Sequence, residues 1–168
     1  SGTPVASLVL ASANPPKDCP SELLAAVADA LAADLGFEVI LLGGPSRRER
    51  SMVAQIRRQA GRPPVDATGD SVRRLMTRIA GSSLVIAPDT GPLHIAHAMG
   101  VPVIGLFGHT NPWRVGPYRR FRDLVIDRYT DPGAPPDPAD YLPKSGRMET
   151  ITVRDVLEKV EVARWRYL

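Results

Sequence analysis

The sequence predicts an α/β fold, a Rossmann-like doubly wound parallel sheet, on three observations. Short apolar runs rich in β-branched residues alternate with segments whose apolar residues recur about every 3.6 positions, the pattern of strands and helices around a parallel sheet. The connections between these segments are short, and right-handed crossovers leave few other arrangements for such units. The 168 residues suffice for one ordinary core and leave no room for a second, so residues 1–168 are expected to form a single domain.

Residues 5–10 read as a buried strand and 13–18 as the loop after it. Leu23, Leu24, Val27, Leu31 and Leu35 mark one face of a helix that Gly36 ends in a left-handed conformation. A second strand over 37–42 is broken by Gly43-Gly44-Pro45. Ser46 with Glu49 gives a capping-box pattern, and Val53, Ile56 and Ala60 continue an apolar stripe until Gly61 and Pro63 stop it. A short strand over 65–68 follows. Asp70 or Ser71 caps a third helix whose apolar face is Val72, Leu75, Met76 and Ile79, closed by Gly81. Residues 83–87 form a fourth strand, β-branched enough to be central. Next come a turn over 88–92, a helix through Met99, a turn at Gly100 and strands over 101–107 and 124–127. The Pro-, Gly- and Asp-rich stretch 129–148 is a surface loop. Thr152 with Asp155 opens a C-terminal helix over 152–168, with Val153, Val156, Leu157 and Val160 on one side.

Composition excludes several classes. Apolar residues at 43% and charged ones at 23% are ordinary globular usage, not that of a disordered or fibrous chain. The arginine pairs at 47–48, 57–58, 73–74 and 119–120 fall on solvent-facing positions, and the few aromatics are not interleaved with them, so nucleic acid is not an expected partner. Cys19 is the only cysteine, which excludes an internal disulfide and a cysteine-based metal site and matches a cytoplasmic protein. No apolar run reaches the roughly 18 residues of a membrane span. Residues 1–3 carry no signal-peptide pattern and are read as a cloning remnant.

In such a sheet the loops after the first and fourth strands face the ligand. The fourth strand runs into Ala87-Pro88-Asp89-Thr90-Gly91-Pro92-Leu93-His94. Gly91 permits close backbone approach and Pro92 suits a first helical position. The free amides at the helix start, with the positive end of its dipole, would suit an oxyanion or diphosphate. On residue types alone a plain helix cap explains the same turn better, and His94 there is more often a packed or capping histidine than a phosphate-binding one. A dehydrogenase is disfavoured, because no G-x-G-x-x-G follows the first strand.

The string DTGPLHIAHAMGVPVIGLFGHTNPWRVGPY over 89–118, with Leu41-Leu42-Gly43-Gly44-Pro45 and Thr68-Gly69-Asp70-Ser71 in the same order, resembles the bacterial heptosyltransferases, glycosyltransferase family 9. These inverting enzymes use ADP-heptose to build the lipopolysaccharide inner core. The resemblance implies one half of a GT-B fold: this chain is the C-terminal donor domain, and the N-terminal acceptor domain, with the catalytic base, lies outside it. It implies that Thr90 and Gly91 offer amides to the donor diphosphate. Asp89 would lie by the sugar, accepting bonds from its hydroxyls or from the turn. Lys17 would stabilise the leaving diphosphate without a metal or other cofactor, with Ser12 and His94 as further donor-binding residues. A lipid-linked saccharide acceptor at the membrane surface, a cytoplasmic or inner-membrane-peripheral location and an inactive isolated domain complete the expectation. A second reading is a noncatalytic nucleotide-binding or scaffold domain of the same descent. Departures from the family pattern motivate it: Ala13 stands where a hydroxyl is common, Cys19 where an aromatic is, His109 where the FG-x-T turn carries proline, and Asn111 where Asp or Ser is common. Glu49 and Asp66 both have structural readings, so neither is singled out for ribose. Val160, Trp165 and Leu168 are expected to form an apolar patch on the last helix.

Overall fold

A computed structural model describes residues 2–168. Six parallel strands, β1 (Val5–Val9), β2 (Glu38–Leu42), β3 (Val65–Asp66), β4 (Leu84–Pro88), β5 (Val103–Phe107) and β6 (Val125–Asp127), form one sheet in the order β3-β2-β1-β4-β5-β6. Helices α1 (Ser21–Ala33), α2 (Arg47–Gln59), α3 (Val72–Ala80), α4 (Gly91–Ala98), the one-turn α5 (Pro112–Val115) and α6 (Val153–Arg166) connect and cover it. This is the doubly wound order, and the chain reverses direction across the sheet between β1 and β4. Leu8 there lies beside Leu41 on one side and Ile86 on the other. Strands covered on both faces must be apolar throughout, and β4 is buried along its whole length.

Most elements start and stop where their residues dictate. Gly36, at φ +72°, turns the chain after α1 so that Phe37 N reaches Leu31 O. Thr152 and Asp155 form the reciprocal capping box that opens α6. Ser71, rather than Asp70, caps α3, its hydroxyl accepting from Arg74 N. The fifth strand begins two residues later than its apolar run. Val101 N is used on Ala96 O to close α4, and Pro102 has no amide to give. The third strand is only two residues long; beyond it Asp66 Oδ1 accepts from Thr68 N and the Thr68 hydroxyl, while Ala67 N and Gly69 N still bond to Leu41 O and Gly43 O.

Two packing expectations are corrected. On α3 only Ile79 is buried, while Val72 and Met76 are exposed; Val72 lines a cleft, and Leu75 lies half-buried between that cleft and the core. On α6 the buried face is Val156, Val160 and Ala163. Val160 therefore belongs to the core, and only Trp165 and Leu168 of the expected patch stand exposed. The helix α5 was unforeseen, although its start signals are present: Asn111 caps it, accepting from Trp113 N, and Pro112 occupies its first position.

The segment 129–148 has no regular structure before the turn Met148–Thr150, but it is tied down. Tyr129 Oη donates to Leu142 O at 2.7 Å, and Asn111 Nδ2 donates to the carbonyls of Asp137 and Asp140, each at 2.8 Å. Gly108 lets this loop return against the turn after β5, since a Cβ there would lie 2.7 Å from backbone atoms of Arg147 and Met148. Gly108→Ala should therefore lower the unfolding free energy by about 2 kcal/mol, the scale of overpacking a tight site. Urea denaturation checks this, and a change within about 0.5 kcal/mol, the range of a neutral surface substitution, would contradict the close approach.

Candidate functional site

At the carboxyl ends of β1, β2 and β4 a cleft of about 540 Å³ opens, in the crevice that such a sheet forms where its strand order reverses. Its polar end is made by Ser12, Asn14 and Lys17 from the loop after β1 and by Asp89, Thr90 and Gly91 from the turn after β4. Its other end is apolar, with Pro45, Ala67, Val72 and Leu75, and Glu49 of α2 borders it.

Asp89 is the hub of the polar end. Lys17 Nζ and Thr110 Oγ1 each donate to its Oδ2 at 2.8 Å, and His94 Nε2 donates to its Oδ1 at 3.1 Å. Burial alone would push this carboxyl up, but the bonds from His94, Lys17 and Thr110, with the Lys17 charge, outweigh it and hold the pKa at about 2. Asp89 thus remains a carboxylate, and Lys17 an ammonium with donors to spare. The partners are side chains from three separate segments, where the turn itself had been the expected alternative to a sugar.

The next two residues present unused groups. Thr90 is extended and makes no side-chain cap, and its buried Oγ1 has no hydrogen-bond partner. Leu93 N and His94 N both bond back to Thr90 O, so Gly91 N, at the first position of α4, has no acceptor within the helix. A buried hydroxyl without a partner and the first amide of α4, near Lys17, are the groups that would suit an anion with several oxygens.

Five of the six expected site residues line this cleft: Ser12, Lys17, Asp89, Thr90 and Gly91. Ser12 is constrained there, because its hydroxyl donates to Asn14 O at 2.6 Å and accepts from Asn14 N. His94 is not part of the lining and reaches the site only through Asp89.

Sequence reasoning passed over Glu49. Its carboxylate takes Gly44 N at 2.6 Å and Ser46 Oγ at 2.6 Å, so the capping pattern at Ser46 also aims an acid at the cleft. Asp66 lines no part of it. Thr110 was passed over too, and no local pattern announces a bond across the sheet.

The family model for glycosyltransferase family 9 (heptosyltransferase) matches residues 1–131. The chain is 35% identical over 96 residues to the lipopolysaccharide core heptosyltransferase OpsX of Haemophilus influenzae, covering 56% of this chain and 28% of that protein. It is 39% identical over 95 residues to lipopolysaccharide heptosyltransferase 3 of Escherichia coli, covering 52% of this chain and 28% of that one. Its fold is similar to the crystal structure of the glycosyl transferase family 9 protein from Veillonella parvula DSM 2008, with a TM-score of 0.76 at 28% identity over 95% of this chain and 45% of that one. It is also similar in fold to E. coli heptosyltransferase WaaC with ADP, at a TM-score of 0.72 and 19% identity, covering 95% of this chain and 44% of that one. The chain thus matches less than half the length of each of these proteins.

The depressed acidity of Asp89 makes a pH prediction. A carboxyl whose folded pKa of about 2 lies below its ordinary 3.8 stabilises the fold above the ordinary value and loses that contribution as pH falls through the folded one. Relative to Asp89→Asn, the unaltered chain should hold an advantage of roughly 2 kcal/mol near pH 5 that shrinks between about pH 4 and pH 2. Urea unfolding across that range measures it, and a deficit independent of pH would show that the ionised carboxylate does not carry the effect.

Proposed function

The chain belongs to glycosyltransferase family 9, the heptosyltransferase family, and on that premise we propose that it is the donor-binding domain of an inverting glycosyltransferase of lipopolysaccharide core synthesis, taking ADP-heptose or a related nucleotide sugar. The observation that carries this reading is the junction of Lys17, Thr90 Oγ1 and Gly91 N at one end of the cleft, around an Asp89 that anchors the lysine.

In this reading the donor diphosphate lies across the start of α4, with Gly91 N and Thr90 Oγ1 on its oxygens and the helix dipole behind them. The acceptor hydroxyl oxygen attacks the anomeric carbon, the bond from that carbon to the diphosphate oxygen breaks, and ADP departs with the electron pair. The hydroxyl proton passes to a base in the facing acceptor domain. Lys17 meets the charge that grows on the leaving oxygens, the role a metal takes in other transferases, so the reading needs no metal. Asp89 does not repel the diphosphate, because its charge is paired with the lysine it orients. Pro45, Ala67, Val72 and Leu75 give the base an apolar surface. Glu49, held at the cleft edge from α2, is the acid placed to accept from a ribose hydroxyl.

The facing domain and its lipid-linked saccharide would complete the site at the cytoplasmic membrane surface; among the described residues no helix is long and apolar enough to cross a membrane. The alternative, a noncatalytic scaffold domain of the same descent, draws on the Ser12 hydroxyl being committed to Asn14 and on Ala13 offering none.

Calorimetric titration separates the two. ADP is expected to bind, and Lys17→Ala to weaken it by about 10- to 100-fold, the worth of charge-assisted hydrogen bonds, while AMP binding changes little. An equal loss for AMP would remove Lys17 from the diphosphate. Failure of the folded chain to bind ADP, UDP or GDP would favour the scaffold. The chain alone should not turn over ADP-heptose, and turnover would contradict a site divided between two domains.

A further inference from the structure

His109 and Asn14 lie 95 residues apart in sequence and meet beside the cleft, with His109 Nε2 and Asn14 Nδ2 3.4 Å apart. His109 is buried, and its Nδ1 is 2.9 Å from Lys144 O. A carbonyl only accepts, so Nδ1 carries the proton, and in the neutral ring Nε2 accepts from the Asn14 amide. Both ring nitrogens are thereby used, one on the long loop 129–148 and the other on the loop after β1.

Asn14 in turn begins the single turn Pro15–Lys17, since its carbonyl accepts Lys17 N at 3.0 Å. The residue after His109 grips the other side of the same ion pair, Thr110 Oγ1 donating to Asp89 Oδ2. Two adjacent residues in the turn after β5 thus hold both ends of the Lys17–Asp89 pair, one through Asn14 and one directly.

We infer that His109 is a positioning residue for the donor site, fixing through Asn14 the turn that presents Lys17 to the leaving group. The inference rests on the donor-site reading above and extends it to a residue outside the cleft lining. It also gives His109 a task in a turn where the family pattern carries proline: an imidazole can grip the loop after β1, and a proline side chain has neither donor nor acceptor. Asn14 itself remains in the cleft lining, as His109 does not.

The test is a double-mutant cycle in the full 168-residue chain, read by calorimetric titration with ADP and by amide hydrogen exchange at Lys17. His109→Phe keeps a buried ring and loses both hydrogen bonds; it should weaken ADP binding by about tenfold, the scale of one or two lost bonds. Asn14→Ala should cost a similar factor, and the double variant should be no weaker than the weaker single. His109→Gln, which supplies a donor and an acceptor, should recover most of the affinity. Without any ligand, Lys17 N–H should exchange faster in both single variants while the amides of β4 remain protected.

Multiplying losses in the double variant, ADP binding unchanged by His109→Phe, or no recovery in a folded His109→Gln would each overturn the inference. If the unaltered chain binds ADP but Lys17 exchange does not respond to His109, the positioning role fails alone. If Lys17 exchange responds and no nucleotide binds, the mechanical link stands and the donor-site reading fails.

Discussion

The site depends on keeping one nearly buried carboxylate ionised. Removing Asp89 from water would ordinarily raise its pKa, and a neutral acid there would release Lys17. Three donors prevent this, and they come from the loop after β1, from α4 and from the turn after β5. Each segment leaves a different strand, so the carboxylate can be satisfied only when those strands sit in register with one another. The electrostatic requirement of the site is therefore also a requirement on the fold, and the central strands, buried and apolar, provide the rigid base that it needs.

The turn after β5 shows how such demands concentrate in a few residues. Gly108 admits the backbone of Arg147 and Met148, His109 bridges Lys144 and Asn14, Thr110 holds Asp89, and Asn111 caps α5 while binding the carbonyls of Asp137 and Asp140. Four consecutive residues thus join the long loop, the loop after β1 and the hub. A long irregular loop is ordered here by side chains of this turn together with its own Tyr129, which is why its Pro- and Gly-rich composition does not leave it loose.

Local periodicity was enough to reveal the alternation of strands and helices, the buried β4 and the caps at Ser46 and Thr152, because those features are decided within a few residues. The turn from Asp89 to Gly91 was legible as a helix start suited to an anion for the same reason, since a strand, a glycine and a proline are local signals, although a plain cap explained those residue types as well. What stayed hidden was decided across the sheet. Val72 has the spacing of a core position, yet α3 leaves it exposed at the cleft. Glu49 satisfied a capping rule, and that sufficiency concealed its second position at the cleft edge. Thr110 has no marker at all, since its partner lies 21 residues away in sequence. His109 and Asn111 looked like departures from a pattern and prove to be fully hydrogen-bonded members of the turn.

In the proposed donor site, the pairing of Lys17 with Asp89 would leave the cation able to serve a leaving group without being spent beforehand. An ammonium has three donors in a tetrahedral arrangement, and a single carboxylate oxygen uses one of them at 2.8 Å, with the Asp89 carbonyl at 3.5 Å a weak second. The remaining capacity faces the cleft. A lysine on a free loop would lose rotamer freedom when it met a phosphate, whereas here that ordering is already built into the fold, and Thr110 and His94 hold the carboxylate that enforces it. With no ligand bound the pair is electrically neutral, so the fold carries little uncompensated buried charge. In the proposed donor site, negative charge growing on a departing diphosphate would be met by the same lysine without its first having to move.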